Sequence, residues 1–111
     1  MLYKFKSKAA GDVIMLQANG KRVLDIIGRA NGRDYDASGI LQPGQMKAAV
    51  DALNAAADQE EADQKAAIAK AAEEEKSAPS FDAVSLRTRA HPLIEMLKRC
   101  EKAGAEIVWG V

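Results

Sequence analysis

The sequence has 111 residues, 16 of them basic and 16 acidic, so its formal net charge is zero. Apolar residues make up 48% and aromatic residues 5%, which suits one small domain whose core contains few large rings. The single Cys and single His exclude a disulfide scaffold and a zinc site built from those residue types. The composition also excludes a highly charged disordered chain.

The zero total conceals three segments of different charge. Residues 1–50 have eight basic and four acidic side chains, residues 51–76 three and eight, and residues 77–111 five and four. Such asymmetry bears on solubility and association rather than on fold. We interpret the acidic runs at 58–63 and 73–75 as a solvated helix face rather than a metal site.

Strand periodicity is clear only at the N-terminus. Tyr3 and Phe5 alternate with lysines, which predicts a strand over 2–7. Residues 8–17 fit either a short buried strand or a helix with Ser7 as its N-cap. We favour two short helices, over 8–17 and 20–28, separated at the turn-forming pair at 19–20.

The middle of the chain reads as a loop followed by a long helix. Gly, Asn, Asp, Ser and Pro punctuate residues 28–44, with a short apolar rung at 40–41, and Pro43 is tolerated in a first helical turn. Residues 44–76 are predicted to be helical, with an apolar stripe formed by Met46, Val50, Leu53 and Ala57. Beyond that stripe the helix is rich in Ala and charged residues, so it buries little.

A second helix and a terminal strand complete the predicted elements. Apolar residues recur at helical spacing from Leu86 to Cys100, but Pro92 lies inside the run. Either one helix spans 81–104, or the helix begins at Pro92 and residues 84–90 are extended. Gly104 is placed to end the helix, and residues 106–111 alternate as a strand.

These elements predict an α+β fold in one domain, residues 1–111. Short strands at the two chain ends pair in a small sheet, and helices, one of them long and Ala/Glu-rich, cover one face. Residues 55–80 are expected to form an acidic, alanine-rich, weakly packed helical arm or linker. Because so small a sheet has open edges, we predict a homo-oligomer, or a complex with another protein.

One stretch resembles a ligand site, the twelve-residue calcium loop of the EF-hand. Asp34, Asp36 and Ser38 occupy its first three oxygen positions, and Gly39 its turn position. Gln45 stands where the motif has a bidentate Glu, so any calcium site here is weak. The alternative is an ordinary turn leading into a helix.

Other candidate chemistry is sparse. His91 and Cys100 are nine residues apart, which places them about half a turn out of phase on one helix. Ser85 lacks the flanking residues of a nucleophile elbow. Basic residues near both ends lack the excess charge or aromatic platforms that nucleic-acid binders show, which argues against a nucleic-acid partner. We therefore predict no catalytic residues, and no cofactor other than a weakly bound calcium ion.

Two long stretches together carry a family resemblance. Residues 3–16 lead to Leu24 and the pair at 27–28, and residues 86–97, with the Arg-Ala-His-Pro-Leu run at 89–93, lead to the terminal Val-Trp-Gly-Val. This pattern resembles a family of short bacterial proteins known as a domain of unknown function. The resemblance implies a bacterial cytosolic protein and brings no activity or ligand. It also implies a variable segment at 54–80 and weakens the calcium interpretation.

Three hypotheses follow. The first is a small non-enzymatic interaction or regulatory module, homodimeric through its apolar faces. The second is a weak calcium-binding helix–loop–helix using Asp34, Asp36, Ser38 and Gln45. In the first hypothesis the apolar faces that hold the dimer are those of the helices. The third is an enzyme whose site is completed across a dimer interface. No apolar run approaches the roughly 18 residues needed to span a bilayer, and the lone Cys is compatible with a reducing compartment. We therefore predict a cytoplasmic location without membrane attachment.

Overall fold

The computed structural model describes residues 2–81 and 84–110, which form four strands and three long helices. This α+β architecture confirms the predicted fold class. In chain order the elements are β1 (Leu2–Ser7), β2 (Ala10–Leu16), α1 (Gln17–Asn31), β3 (Gly39–Leu41), a 3₁₀ turn (Pro43–Gln45), α2 (Met46–Glu73), α3 (Leu86–Ala103) and β4 (Ile107–Trp109).

The four strands form one antiparallel sheet in the order β2-β1-β4-β3. The strands nearest the two chain ends lie at its centre, with Phe5 opposite Trp109 and Lys6 opposite Val108. The predicted pairing of the terminal strands is therefore confirmed. Alternate residues of β1 and β4, among them Phe5 and Trp109, turn inward and join a core shared with all three helices.

Residues 10–16 form a strand, so the helix predicted over 8–17 is wrong. β2 pairs with β1 as a hairpin that sets Val13 opposite Phe5 and Met15 opposite Tyr3. Ser7 is not a helix cap, because its Oγ accepts a hydrogen bond from the N–H of Ala9 in the hairpin turn (3.3 Å). The apparent helical stripe was misleading because its residues belong to two successive elements, β2 and α1.

The predicted break at 19–20 is also wrong, because Gly20 lies inside α1. A Cβ added to Gly20 would lie 2.6 Å from Cγ and 2.8 Å from Cβ of Tyr3. This glycine therefore permits close approach of α1 to β1 rather than a turn. The loop predicted from residue 28 begins later than expected, since α1 runs to Asn31 and Gly32 ends it with a positive φ of 65°.

The two predicted apolar stripes are confirmed as the helical part of the core. Met46, Val50, Leu53 and Ala57 of α2 are buried, as are the stripe residues of α3 from Leu86 to Cys100. α3 begins at residue 86 and continues through Pro92, so the extended alternative for 84–90 is wrong. Gly104 ends it with a φ of 67°, as predicted. Residues 82–83 of the predicted helix and Val111 of the predicted strand lie outside the described residues.

The segment 55–80 differs in its contacts along its length. Ala57 is buried, and Glu60 contacts both α1 and α3. No residue between 61 and 73 is buried, and residues 76–81 have no regular structure. The chain nevertheless returns close to α2, since Gln64 and Phe81 line the same surface groove.

The first prediction concerns Gly20. We expect Gly20→Ala to lower the free energy of unfolding, because overpacking costs about 1–3 kcal/mol and the helix-propensity gain of about 1 kcal/mol offsets only part of it. Gly44→Ala is the matched control, since a Cβ there would meet nothing within 4 Å. Chemical denaturation measures both variants, and equal stability of the two would contradict the close contact between α1 and β1.

The second prediction concerns the weakly packed part of the arm. We expect that replacing residues 66–79 by two glycines leaves the fold intact, because the flanking residues already share one groove. A deletion that begins at residue 56 also removes Ala57 and Glu60 and is expected to destabilise the fold. Thermal unfolding of both deletions distinguishes the two parts, and a large loss in the shorter deletion would place 66–79 in the folded body.

Candidate functional site

The loop before β3 is held against β4 by Trp109. The indole Nε1 of Trp109 donates a hydrogen bond to the backbone carbonyl of Asp36 (2.9 Å). Tyr35 packs edge-on against the same indole, with ring centroids 5.4 Å apart. A Cβ at Gly39 would lie 3.0 Å from the indole Cε2, so this position allows the loop to approach the ring closely. The apolar rung at 40–41 is consequently a strand rather than part of a loop.

The predicted calcium residues occupy different surroundings. Asp34 and Asp36 line an open cleft of about 600 Å³ together with the basic side chains of Lys21, Arg29 and Arg33. Ser38 and Gln45 are not among the residues that line the cleft. The Oε1 of Gln45 accepts a hydrogen bond from the N–H of Gln42 (2.9 Å) and thereby caps the 3₁₀ turn.

The calcium site stays a prediction. Within the described ranges, 2–81 and 84–110, no three His, Cys, Asp or Glu side chains are grouped to hold a metal ion. The predicted EF-hand-like site uses two aspartates, a serine and a glutamine, so the absence of such a group does not test it. The three basic side chains of the cleft balance its three aspartates, Asp25, Asp34 and Asp36, so the cleft has no excess of negative charge to attract a divalent ion.

The other candidate side chains have structural positions. His91 is exposed, whereas Cys100 is buried as a free thiol on the core side of α3. The Oγ of Ser85 accepts a hydrogen bond from the N–H of Thr88 (3.2 Å) and is therefore the N-cap of α3. Arg87 is paired with two carboxylates, Asp58 and Glu61.

Glu60 makes a structural contact that sequence reasoning missed. Its Oε1 accepts a hydrogen bond from the N–H of Leu86 (3.0 Å), and its Oε2 accepts one from Nη2 of Arg22 (2.8 Å). One carboxylate of α2 thus connects α1 to the N-terminus of α3, where a negative charge also interacts favourably with the helix dipole. The sequence shows only an acidic run, since nothing in it indicates which carboxylate meets two partners far along the chain.

Two groups in this region, Glu60 and Arg87, have shifted pKa values. The N–H of Leu86, and then the guanidinium of Arg22, hold the pKa of Glu60 below its usual value of 4.5. Hydrogen bonds to Glu61 and Asp58 raise the pKa of Arg87 above its usual value. Asp58, Glu60 and Glu61 thus pair with arginines of α1 and α3 along a helix face on which Asp58 and Glu61 are exposed, in agreement with the interpretation of the run at 58–63 as a solvated face.

Among the described residues, the large apolar side chains with the highest exposed fractions lie on the outer face of the sheet. We define the outer face by the residues that alternate with the inward-facing ones: Leu2, Lys4, Lys6, Asp12, Ile14, Leu16, Ile40 and Val108. Leu2, Ile14 and Leu16 are 57%, 56% and 63% exposed. Leu2 stands directly opposite Leu16, and Lys4 opposite Ile14, so these apolar residues adjoin one another.

The outer face could not be recognised from sequence because it depends on β2. As a helix, residues 8–17 would have placed Val13 and Leu16 on one buried side. As a strand, the same residues point to opposite faces, and Ile14 and Leu16 become solvent-exposed. The signal available in the sequence was a short continuous apolar run, residues 13–16, soon after a lysine-rich strand.

Comparison with known families identifies the chain. A family model described as "Domain of unknown function (DUF1840)" matches residues 1–109. The chain belongs to this family. The DUF1840 match covers both the terminal strands and the segment 55–80, so it includes the outer face and the Glu60 contact. Searches of curated proteins and of solved structures found no match. Among the described residues of this DUF1840 chain, no helix is both long and apolar enough to cross a membrane.

The third prediction tests the contact made by Glu60. We expect Glu60→Gln to lower the free energy of unfolding at neutral pH by about 1 kcal/mol, because it removes the charge from two hydrogen bonds. Glu95→Gln is the control, since that carboxylate has only an exposed pair with Lys98 at 3.9 Å.

The pH dependence gives the same prediction a sign. Because the pKa of Glu60 is lowered in the folded state, its contribution is present above the usual value of 4.5 and is lost as the pH falls through the lowered pKa. The stability difference between wild type and Glu60→Gln is therefore expected to shrink in acid. Urea denaturation over a pH series measures it, and a difference independent of pH would refute the ionic contribution.

Proposed function

We propose that this protein is a non-enzymatic interaction module that works as a homodimer through the outer face of its sheet. The observation that carries the proposal is the exposed apolar cluster formed by Leu2, Ile14 and Leu16. These three exposed side chains adjoin one another on β1 and β2, and contiguous exposed apolar surface often marks an interaction site. Localisation in a bacterial cytoplasm belongs to the same proposal, supported by the free thiol of Cys100.

A second copy of this chain is the occupant that fits this surface. The apolar faces of the helices are buried within one chain and are not available for a dimer contact, whereas the exposed cluster of Leu2, Ile14 and Leu16 is repeated on each copy. The charges on the face are partly balanced within one copy, because Lys4 and Asp12 approach to 3.8 Å. An isologous contact brings the same cluster from both copies together without adding a net charge of one sign.

The fourth prediction tests the dimer with charged substitutions. We expect wild-type protein to self-associate in sedimentation equilibrium and the double variant Ile14→Lys/Leu16→Lys to have a dimer Kd at least tenfold higher. Each substitution removes about 1–2 kcal/mol of apolar burial from the interface. A loss of about 1.4 kcal/mol corresponds to a tenfold higher Kd. Ile68→Lys is the matched control, because Ile68 is an exposed isoleucine on α2, away from the sheet.

Two outcomes would overturn the proposal. Wild-type protein that remains monomeric up to millimolar concentration has no functional homodimer. A dimer that Ile68→Lys weakens as much as the double variant does not use the outer face. Far-UV circular dichroism of each variant establishes that the fold is retained before the Kd values are compared.

A further inference from the structure

Exposed apolar side chains are concentrated at one side of the sheet rather than spread across it. Leu2, Ile14 and Leu16 lie on β1 and β2, at the β2 side, whereas Ile40 alone lies on β3 at the opposite side. Between them, the middle of the outer face carries Lys4 and Lys6. The apolar cluster thus adjoins an edge of the sheet.

That edge, β2, has one extra residue relative to β1 between Ala10 and Val13, and beyond this irregularity it lacks the features that usually prevent strands from pairing. β2 is seven residues long, contains no proline, and has one charged residue, Asp12. The other edge, β3, is three residues long and is followed two positions later by Pro43. Long, weakly charged edges offer unpaired N–H and C=O groups to another strand, and short edges do not.

The lysines in the middle of the outer face disfavour direct stacking of two sheets. Face-to-face packing would bury Lys4 and Lys6 of both copies, while the face offers Asp12 as its one carboxylate. Burying ammonium groups without a matching number of carboxylates costs several kcal/mol per ion. Pairing at the edge leaves both lysines in water and still brings the Ile14 side chains of the two copies together.

We infer that the dimer forms by antiparallel pairing of β2 with β2 of a second copy, which joins the two sheets into one continuous sheet. This inference rests on the proposed function and specifies its geometry. A two-fold axis perpendicular to the sheet keeps each side chain on its own face, so one residue of β2 lies opposite itself. Centring the axis on Ile14 pairs residues 12–16, the part of β2 beyond its irregularity, and sets Ile14 of one copy beside Ile14 of the other on the outer face.

The helix beside the edge is compatible with this arrangement. A shallow pocket next to β2 is lined by Gly11 and Val13 from the strand and by Glu95 and Arg99 from α3. The two-fold axis brings the pockets of the two copies together. Glu95 of one copy then faces a pocket that also carries Arg99. The contact is therefore self-complementary in charge on the helical side of the sheet.

Disulfide trapping tests the geometry directly. Directly opposite residues of antiparallel strands have Cα atoms about 4.5–5.5 Å apart, within the range of about 4.4–6.8 Å that a disulfide requires. We expect Ile14→Cys to give a covalent dimer under mild oxidation and Lys4→Cys, in the middle of the outer face, to give none. Wild-type protein is the control for Cys100, which is buried.

A second measurement covers the case in which Ile14→Cys perturbs the hairpin. Amide hydrogen exchange of wild-type β2 is expected to slow at least tenfold as the protein concentration rises, because outward-pointing N–H groups become paired. Covalent trapping at Lys4→Cys, or a dimer whose β2 exchange is independent of concentration, would overturn edge pairing but leave the homodimer standing. A strictly monomeric wild type would overturn the proposed function itself.

Discussion

The pairing of the two chain ends around Trp109 is the contact on which the rest of the structure depends. Trp109 lies opposite Phe5 in the sheet, with ring centroids 5.8 Å apart, and also contacts Tyr35 and Gly39. Its Nε1 satisfies the carbonyl of Asp36. One side chain near the C-terminus therefore fixes the N-terminal hairpin, the loop before β3 and β3 itself. Such distant contacts form only when most of the chain has collapsed, because their loop-closure entropy is large.

The charge distribution has a structural explanation as well. The acidic part of α2 is held between α1 and α3 by arginines, Arg22 on one side and Arg87 on the other. Excess acid in the middle segment and excess base in the flanking segments are thus partners across helix contacts. The zero net charge is a sum of equal numbers of acidic and basic residues, and it does not mean that the surface carries no charge. The ion pairs are mostly exposed, so they align the helices and add modestly to stability.

A one-sided sheet makes the two faces chemically different. The inner face is filled by the helices, and its large side chains are buried to within a few per cent. The outer face combines lysines in the middle with apolar residues beside β2. Lysines in the middle keep that part of the face polar, whereas the exposed apolar residues lie next to an edge strand. The proposed self-association rests on this difference.

Several elements follow from the sequence alone. The stripes of α2 and α3 are determined by helical periodicity, the end of α3 by Gly104, and β1 and β4 by alternation. Most of these are local patterns in which side-chain spacing matches one secondary structure, whereas the start of α3 also had an extended alternative over 84–90. Family membership was likewise visible in the residues near both ends.

Other features were decided by tertiary contacts. β2 is a strand because β1 pairs with it, although its apolar spacing suits a helix equally well. Gly20 leaves room for the Tyr3 side chain and does not form a turn. Glu60 is positioned by hydrogen bonds from Arg22 and Leu86, neither of which is near it in sequence. Local spacing determined which segments are amphipathic, whereas contacts between distant segments determined which face each one presents.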